Sequence, residues 1–290
     1  MEHIQSRLPA AESSPQTERP LLVIKPSSGW AALNLQDVWR YRDLMWSFAS
    51  RDIKLRYRQT VLGVGWVVFQ PLIAAGIFSF VFGAVAKLPS DGVPYFLFSY
   101  AGLLGWNLFS NVFTKVSGCL VQNGYMLSKV YFPRLVLPFS TLWGALLDWA
   151  VSAVLMGVLM VVYGVAPGWG LLLLPVWMLI ILGAALGLGM LVASLTPAYR
   201  DVLHLLPVFV QLLLYASPVA YALSAIPSRF QSWYLLNPLV AMLEAFRWSL
   251  LGRGSLPITA LAYATVVSGL LFVAGAFLFR RMERKFADVI

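Results

Sequence analysis

The chain has 290 residues, 60% of them apolar and only 11% charged, with a net charge of +9 and one cysteine. A soluble domain carries roughly 25% charged residues, so this composition belongs to a protein embedded in a membrane. Cys119 alone excludes an intrachain disulfide and a cysteine-rich metal site, and the basic residues flank apolar runs instead of forming a nucleic-acid patch.

Residues 1–28 are rich in Pro, Ser and Glu, lack a signal-peptide apolar core and read as a disordered cytoplasmic tail. Residues 37–59 follow as an amphipathic helix. Val38, Tyr41, Met45, Phe48 and Leu55 fall near one face, and Arg40, Arg42, Arg51, Lys54, Arg56 and Arg58 crowd the rest. An apolar stripe beside many Lys and Arg suits a helix lying in the plane of an anionic membrane surface. A plain positive flank to the first span accounts for the charges but not for the periodicity.

Six apolar stretches follow, at Val61–Val85, Pro94–Cys119, Arg134–Tyr163, Leu171–Leu195, Val202–Leu223 and Ile258–Phe279. Each is close to or above the roughly 20 residues that cross a bilayer as helix. The expected architecture is an all-α integral membrane protein. It has six transmembrane helices, an N-terminal interface helix and an external re-entrant helical hairpin between helices five and six. Lys and Arg concentrate before the first stretch, around Lys129 and Arg134, at Arg200 and in the tail RRMERK, which puts both termini in the cytoplasm. Arg229, Arg247 and Arg253 run against this rule but are outweighed. They sit in the external loop, residues 224–257, where Leu239, Met242, Leu243, Phe246 and Leu250 recur at helical spacing and Asn237-Pro238 signals a helix start. A re-entrant pair of short helices and a surface-lying lid both fit that pattern.

No phosphate-binding G-x-x-x-x-G-K-[ST] loop, H-E-x-x-H pair or G-x-S-x-G elbow occurs, so no catalytic or metal residue is assigned. Asp148 stands deep in the third stretch, where an acid is a functional candidate by default and an interhelical hydrogen bond is the alternative; no basic partner at matching depth is evident from the sequence. Gln70, Asn107, Asn111 and Gln211 read as interhelical glue or pore lining, and Gly183 and Gly187 as a small-xxx-small packing pair. Trp66, Phe69, Phe80, Trp106, Phe109, Tyr215 and Tyr221, several of them deeper than an interfacial belt, are candidates to line a sugar channel. Core or lipid contact is the competing account of each ring.

Four segments together resemble the membrane subunit of type-2 ABC exporters that move polysaccharides, namely the O-antigen, capsule and teichoic-acid permeases. They are SRDIKLRYRQTVLGVGWVVFQPL, NGYMLSKVYFPRLVLP, AYRDVLHLLPVFVQLLLYASPVAY and LNPLVAMLEAFRWSLLG, in order along residues 35–280. The resemblance implies a transmembrane domain over residues 29–290, active as a homodimer with two copies of a separate ATPase that binds ATP and Mg. No cofactor is then held by this chain. Residues 37–59 would form a gate helix and residues 122–134 a coupling helix, with Asn123, Lys129, Phe132, Pro133 and Arg134 seated on the ATPase. Arg51, Lys54, Arg56 and Arg58 would meet the pyrophosphate of an undecaprenyl-linked glycan, though membrane lipids or the ATPase account for the same charges. Asn237, Glu244 and Arg247 would belong to the external re-entrant loop. The implied location is the bacterial inner membrane. A drug or lipid exporter of the same class, a membrane enzyme of envelope lipid metabolism using Asp148, and a non-transporting anchor are the rivals.

Overall fold

The computed structural model describes residues 35–58, 63, 65–127, 129, 132–254 and 256–289, with the side chains of 35–37, 56–58 and 283–289 outside the description. The expected tail, residues 1–28, lies outside the described residues. Every regular element among them is helical: α1 (Leu35–Arg40), α2 (Arg42–Arg58), α3 (Gly65–Phe78), α4 (Tyr95–Gln122), α5 (Gly124–Leu127), α6 (Val136–Val162), α7 (Leu174–Leu195), α8 (Asp201–Tyr215), α9 (Ser228–Tyr234), α10 (Pro238–Leu251) and α11 (Ile258–Val289). Among the described residues, four segments are long and apolar enough to cross a membrane: Gly65–Val85, Val136–Val162, Trp169–Leu195 and Ile258–Met282. They define a multi-pass membrane protein. Two of the expected spans differ. Helix α4, at 28 residues, has ample length but carries Asn107, Asn111 and Lys115. Helix α8 has 15 residues, about 22 Å at 1.5 Å per residue, short of a hydrocarbon core of about 30 Å.

Helix α4 is the axis of the bundle. It is buried almost all round from Leu97 to Leu120 and packs against α3, α6, α7, α8 and α10. Helix α3 is the opposite case, with only Pro71 and Ala75 buried. It continues into a π-helical turn, Ser79–Val85, whose wide register is carried by the Ala86 N–H to Val81 O bond of 2.9 Å. Lys87 (φ 51°) ends it, with the Leu88 N–H reaching back to Phe82 O at 2.9 Å.

Helix α2 carries its apolar face onto α6, with Trp46 edge-on to Trp143 at 5.6 Å between ring centres. Phe48 and Ala49 of α2 are buried, as is Val38 of α1, whereas Leu55, assigned to that face from sequence, is exposed. Helix α10 is buried on all sides, from Leu239 through Arg247 and on to Leu251, between α4, α7 and α11. A surface-lying lid is therefore overturned for this helix. Asn237 caps its start by accepting the Leu239 N–H at 3.1 Å, and Gly252, at φ 63°, ends it in the left-handed conformation.

The expected glycine pair of α7 packs within the chain, against α11. A Cβ on Gly187 would stand 2.4 Å from the Leu271 carbonyl carbon, and one on Gly275 would stand 2.3 Å from Gly187 O. Backbone meets backbone here, so no side chain can swing aside. Gly187→Val is expected to force α7 and α11 apart at about 1–3 kcal/mol, read as a lowered unfolding temperature in detergent. Gly157→Ala, where a Cβ meets nothing within 4 Å, should stay within about 1 kcal/mol of the native chain.

Candidate functional site

Three polar places lie along α4: its N-terminal end, its middle and its C-terminal end. At the N-terminal end the chain leaves α8 early. Pro218 has no N–H and disfavours helix at Ser217, so the fifth stretch does not run on as helix to Leu223. Residues Ser217–Ala220 turn into the core instead. Their backbone groups then need partners that are not helical.

Side chains of α10 and α4 supply them. Arg247 donates Nη2 to Pro218 O and Nη1 to Tyr221 O (3.3 Å), and its guanidinium lies 4.0 Å from the centre of the Phe98 ring. Glu244 stands 3.8 Å from Arg247 and accepts the Leu223 N–H at 3.1 Å. Asn237 Nδ2 donates to Ala216 O and Ser217 Oγ, both at 3.1 Å, and the Tyr95 hydroxyl donates to Ala220 O at 2.7 Å. Gly102 makes the approach possible, since a Cβ there would lie 2.2 Å from Val219 O. Thus Asn237, Glu244 and Arg247 converge on one segment. Tyr95, Phe98 and Gly102 join them without having been singled out; a glycine among large residues in α4 was the one available signal. Tyr221 also serves here: its hydroxyl donates to Tyr215 O at 3.0 Å and bonds the Tyr234 hydroxyl.

At the C-terminal end, α2 meets the corner between α4 and α5. Asn123 is buried, and its Nδ2 closes α4 by donating to Cys119 O at 2.9 Å. Its Oδ1 accepts Arg51 Nη2 at 2.6 Å, and Arg51 also bonds Asp52 at 2.8 Å. Phe48, 5.2 Å below the Arg51 guanidinium, packs against Phe132 at 5.5 Å. Phe132 is therefore buried against α2 and is not presented outward. What the corner does present is Tyr125, 71% exposed, with the Lys129 ammonium 4.0 Å over its ring and bonded to its hydroxyl. Pro133 and Arg134 are half-buried. Of the four basic candidates, Arg51 is engaged with Asn123 and Lys54 is exposed; the side chains of Arg56 and Arg58 lie outside the described residues.

Between the two ends, Lys115 Nζ stands 3.4 Å from Asp148 Oδ2, with the Asp148 side chain 5% and Lys115 31% exposed. The basic partner that the sequence did not reveal is thus present, one turn beyond Asn111 on the same face of α4. Pairing offsets the desolvation of both charges at membrane depth. The aromatic candidates divide. Trp66 and Phe69 on α3, Phe80 in the π-helical turn that follows it and Tyr215 at the end of α8 are exposed. Trp106 and Phe109 are packed into the core, the latter stacked on Phe113 at 5.7 Å, and line no surface of this chain. Among the described residues no group of His, Cys, Asp and Glu is placed to hold a metal ion.

A helical bundle with four apolar spans and a buried, side-chain-braced helix after α8 is that of a multi-pass membrane protein. Residues 43–251 match the ABC-2 type transporter family, and the chain belongs to it. It is 31% identical over 261 residues to the O-antigen export system permease protein RfbA of Myxococcus xanthus, covering 88% of this chain and 98% of that protein. An RfbA of the same description from Klebsiella pneumoniae is 28% identical over 253 residues, 86% of this chain and 95% of that one. The polysialic acid transport protein KpsM of Escherichia coli is 28% identical over 208 residues, 68% and 77% of the two chains.

Arg247→Met would leave Glu244 and two carbonyls without their partner, an expected loss of about 3–5 kcal/mol in thermal unfolding. Exposed Arg253→Met should change stability by less than about 0.5 kcal/mol.

Proposed function

We propose that this chain is the permease half of an ATP-driven exporter of undecaprenyl-linked polysaccharide, O antigen foremost, in the bacterial inner membrane. It works as a homodimer with two copies of a separate ATPase, and each chain crosses six times, counting α4 and α8, with both termini cytoplasmic. The single observation that carries this is similarity along nearly the whole chain to proteins named for O-antigen export. Capsule and teichoic-acid chains are the alternative cargo, and KpsM favours the first of these.

The geometry supports a mechanical route. The exposed Tyr125–Lys129 pair is the contact for the ATPase. A push on that corner passes through Asn123 to Arg51 and through Phe132 to Phe48, and so tilts α2 as a gate. Lys54, Arg56 and Arg58 then attract the pyrophosphate at the entrance, and Arg51 contributes charge while holding the corner. The exposed rings of α3 and α8 form the conduit wall in the dimer, where C–H faces of sugars slide over aromatic faces.

Depleting the chain in its host and measuring lipid-linked glycan inside and polysaccharide outside tests the cargo. Glycan trapped inside is expected; unchanged surface glycan would favour a drug or lipid exporter, and loss on both sides an enzyme of synthesis. Phe132→Ala should lower export about tenfold, within a coupling free energy of roughly 1–3 kcal/mol, while ATP hydrolysis continues. Native export by that variant would refute the route through Phe48.

A further inference from the structure

A cavity of about 120 Å3 lies between α3, α4 and α6, level with the middle of α4. Gln70 of α3, Asn107 and Asn111 of α4, and Asp148, Trp149 and Ser152 of α6 supply its polar groups. Gln70 is exposed and Asp148 buried, so the cavity runs inward from the surface of α3 to α6. Its wall on α3 belongs to a helix that buries only Pro71 and Ala75 against the bundle.

The hydrogen-bonding state of these walls is unusual for membrane depth. Among the described residues, the side chains of Gln70, Asn107 and Asn111 make no hydrogen bond, although each carboxamide has two donors and an acceptor. The indole N–H of Trp149 is buried and lacks a partner. The charges, in contrast, are matched: Lys115 pairs with Asp148 at 3.4 Å. Ser152 is also engaged, donating to Asp148 O at 3.1 Å.

These features select the occupant by exclusion. In hydrocarbon an unsatisfied amide costs about 4–8 kcal/mol, so an apolar occupant leaves the carboxamides unpaired. A free anion meets the Asp148 carboxylate and a free cation the Lys115 ammonium, each against a pair that is already neutral. A group that both donates and accepts, and carries no charge, satisfies every wall. A water needs about 10–15 Å3 of cavity, so the space takes several waters or the edge of one sugar ring.

We infer that this pocket binds neutral hydroxyl groups within the membrane. Two sources share that chemistry, water drawn in past Gln70 and the hydroxyls of a saccharide; the second source rests on the proposed cargo, the first only on the membrane setting. Hydroxyls in the pocket join α3 to the body of the chain through exchangeable hydrogen bonds in place of interlocked apolar side chains. Helix α3 can then shift against α4 and α6 without uncovering unsatisfied groups.

Cys119 is the native cysteine and is buried, so Cys119→Ala gives a background in which one introduced thiol reports alone. Asn111→Cys and Asn107→Cys, each in the full chain with its partner ATPase in membrane vesicles, are exposed to 2-hydroxyethyl methanethiosulfonate. Reaction requires the thiolate and therefore water, so both should react at least about tenfold faster than Val154→Cys on the exposed apolar face of α6. Slowing by excess D-mannose assigns the hydroxyls to sugar, and an unchanged rate assigns them to water; either supports a hydroxyl site. If one variant fails to reach the membrane, the other reports the same pocket from the neighbouring turn. Labelling needs no export, so it can succeed where the cargo assignment fails. Rates at both positions no faster than at Val154 would overturn the inference.

Discussion

Backbone amides that leave a helix within a lipid-embedded bundle must find partners in the protein, and the end of α8 is where this constraint acts most strongly. Seven residues from Ala216 to Ala222 lie between regular elements, and five of them are buried. Arg247 of α10, Asn237 at its cap and Tyr95 at the head of α4 take up their carbonyl groups, and Glu244 accepts the Leu223 N–H that follows. That arrangement explains why α10 is an interior helix bearing two charges. An arginine brings five donors in a rigid fork, enough to serve two carbonyls and a carboxylate at once. Its charge is balanced by Glu244 and faced by the Phe98 ring.

Helix α4 ties this brace to the rest of the molecule. Its first turns receive the reversed chain at Gly102, its middle carries the Asn107, Asn111 and Lys115 face, and its last turn is closed by Asn123, which also holds Arg51. Asn123 thus joins the α5 corner to both α2 and the long buried helix. Helices α3 and α8 stand differently. Both present exposed aromatic residues and share little buried surface with the body.

The basic residues of α2 are not equivalent in the fold. Arg51 sits in a run of cations, and composition makes it look interchangeable with Lys54. A 2.6 Å bond to a buried carboxamide and a place over Phe48 separate the two. Asp148 shows the same principle in reverse: an isolated acid by sequence is half of an ion pair in space.

Composition and periodicity by themselves determined the membrane setting, the helical class, the amphipathic character of α2, the two helices after α8 and the cap at Asn237-Pro238. These follow from local chemistry: how many apolar residues run together, which face they share, and where Pro or Asn interrupts them. Tertiary structure decided that α8 stops at Tyr215, that Trp106 and Phe109 belong to the core while Trp66 and Phe69 stay exposed, and that Gly187 serves α11. It also decided the partners of Asp148, Arg51 and Arg247. A hydrophobic period says which face of a helix is apolar, but in a chain that is apolar on nearly every side it cannot distinguish a neighbouring helix from lipid. Nor can spacing along one helix reveal a charge or carbonyl supplied by another, because that meeting depends on packing distances set by small residues such as Gly102 and Gly275.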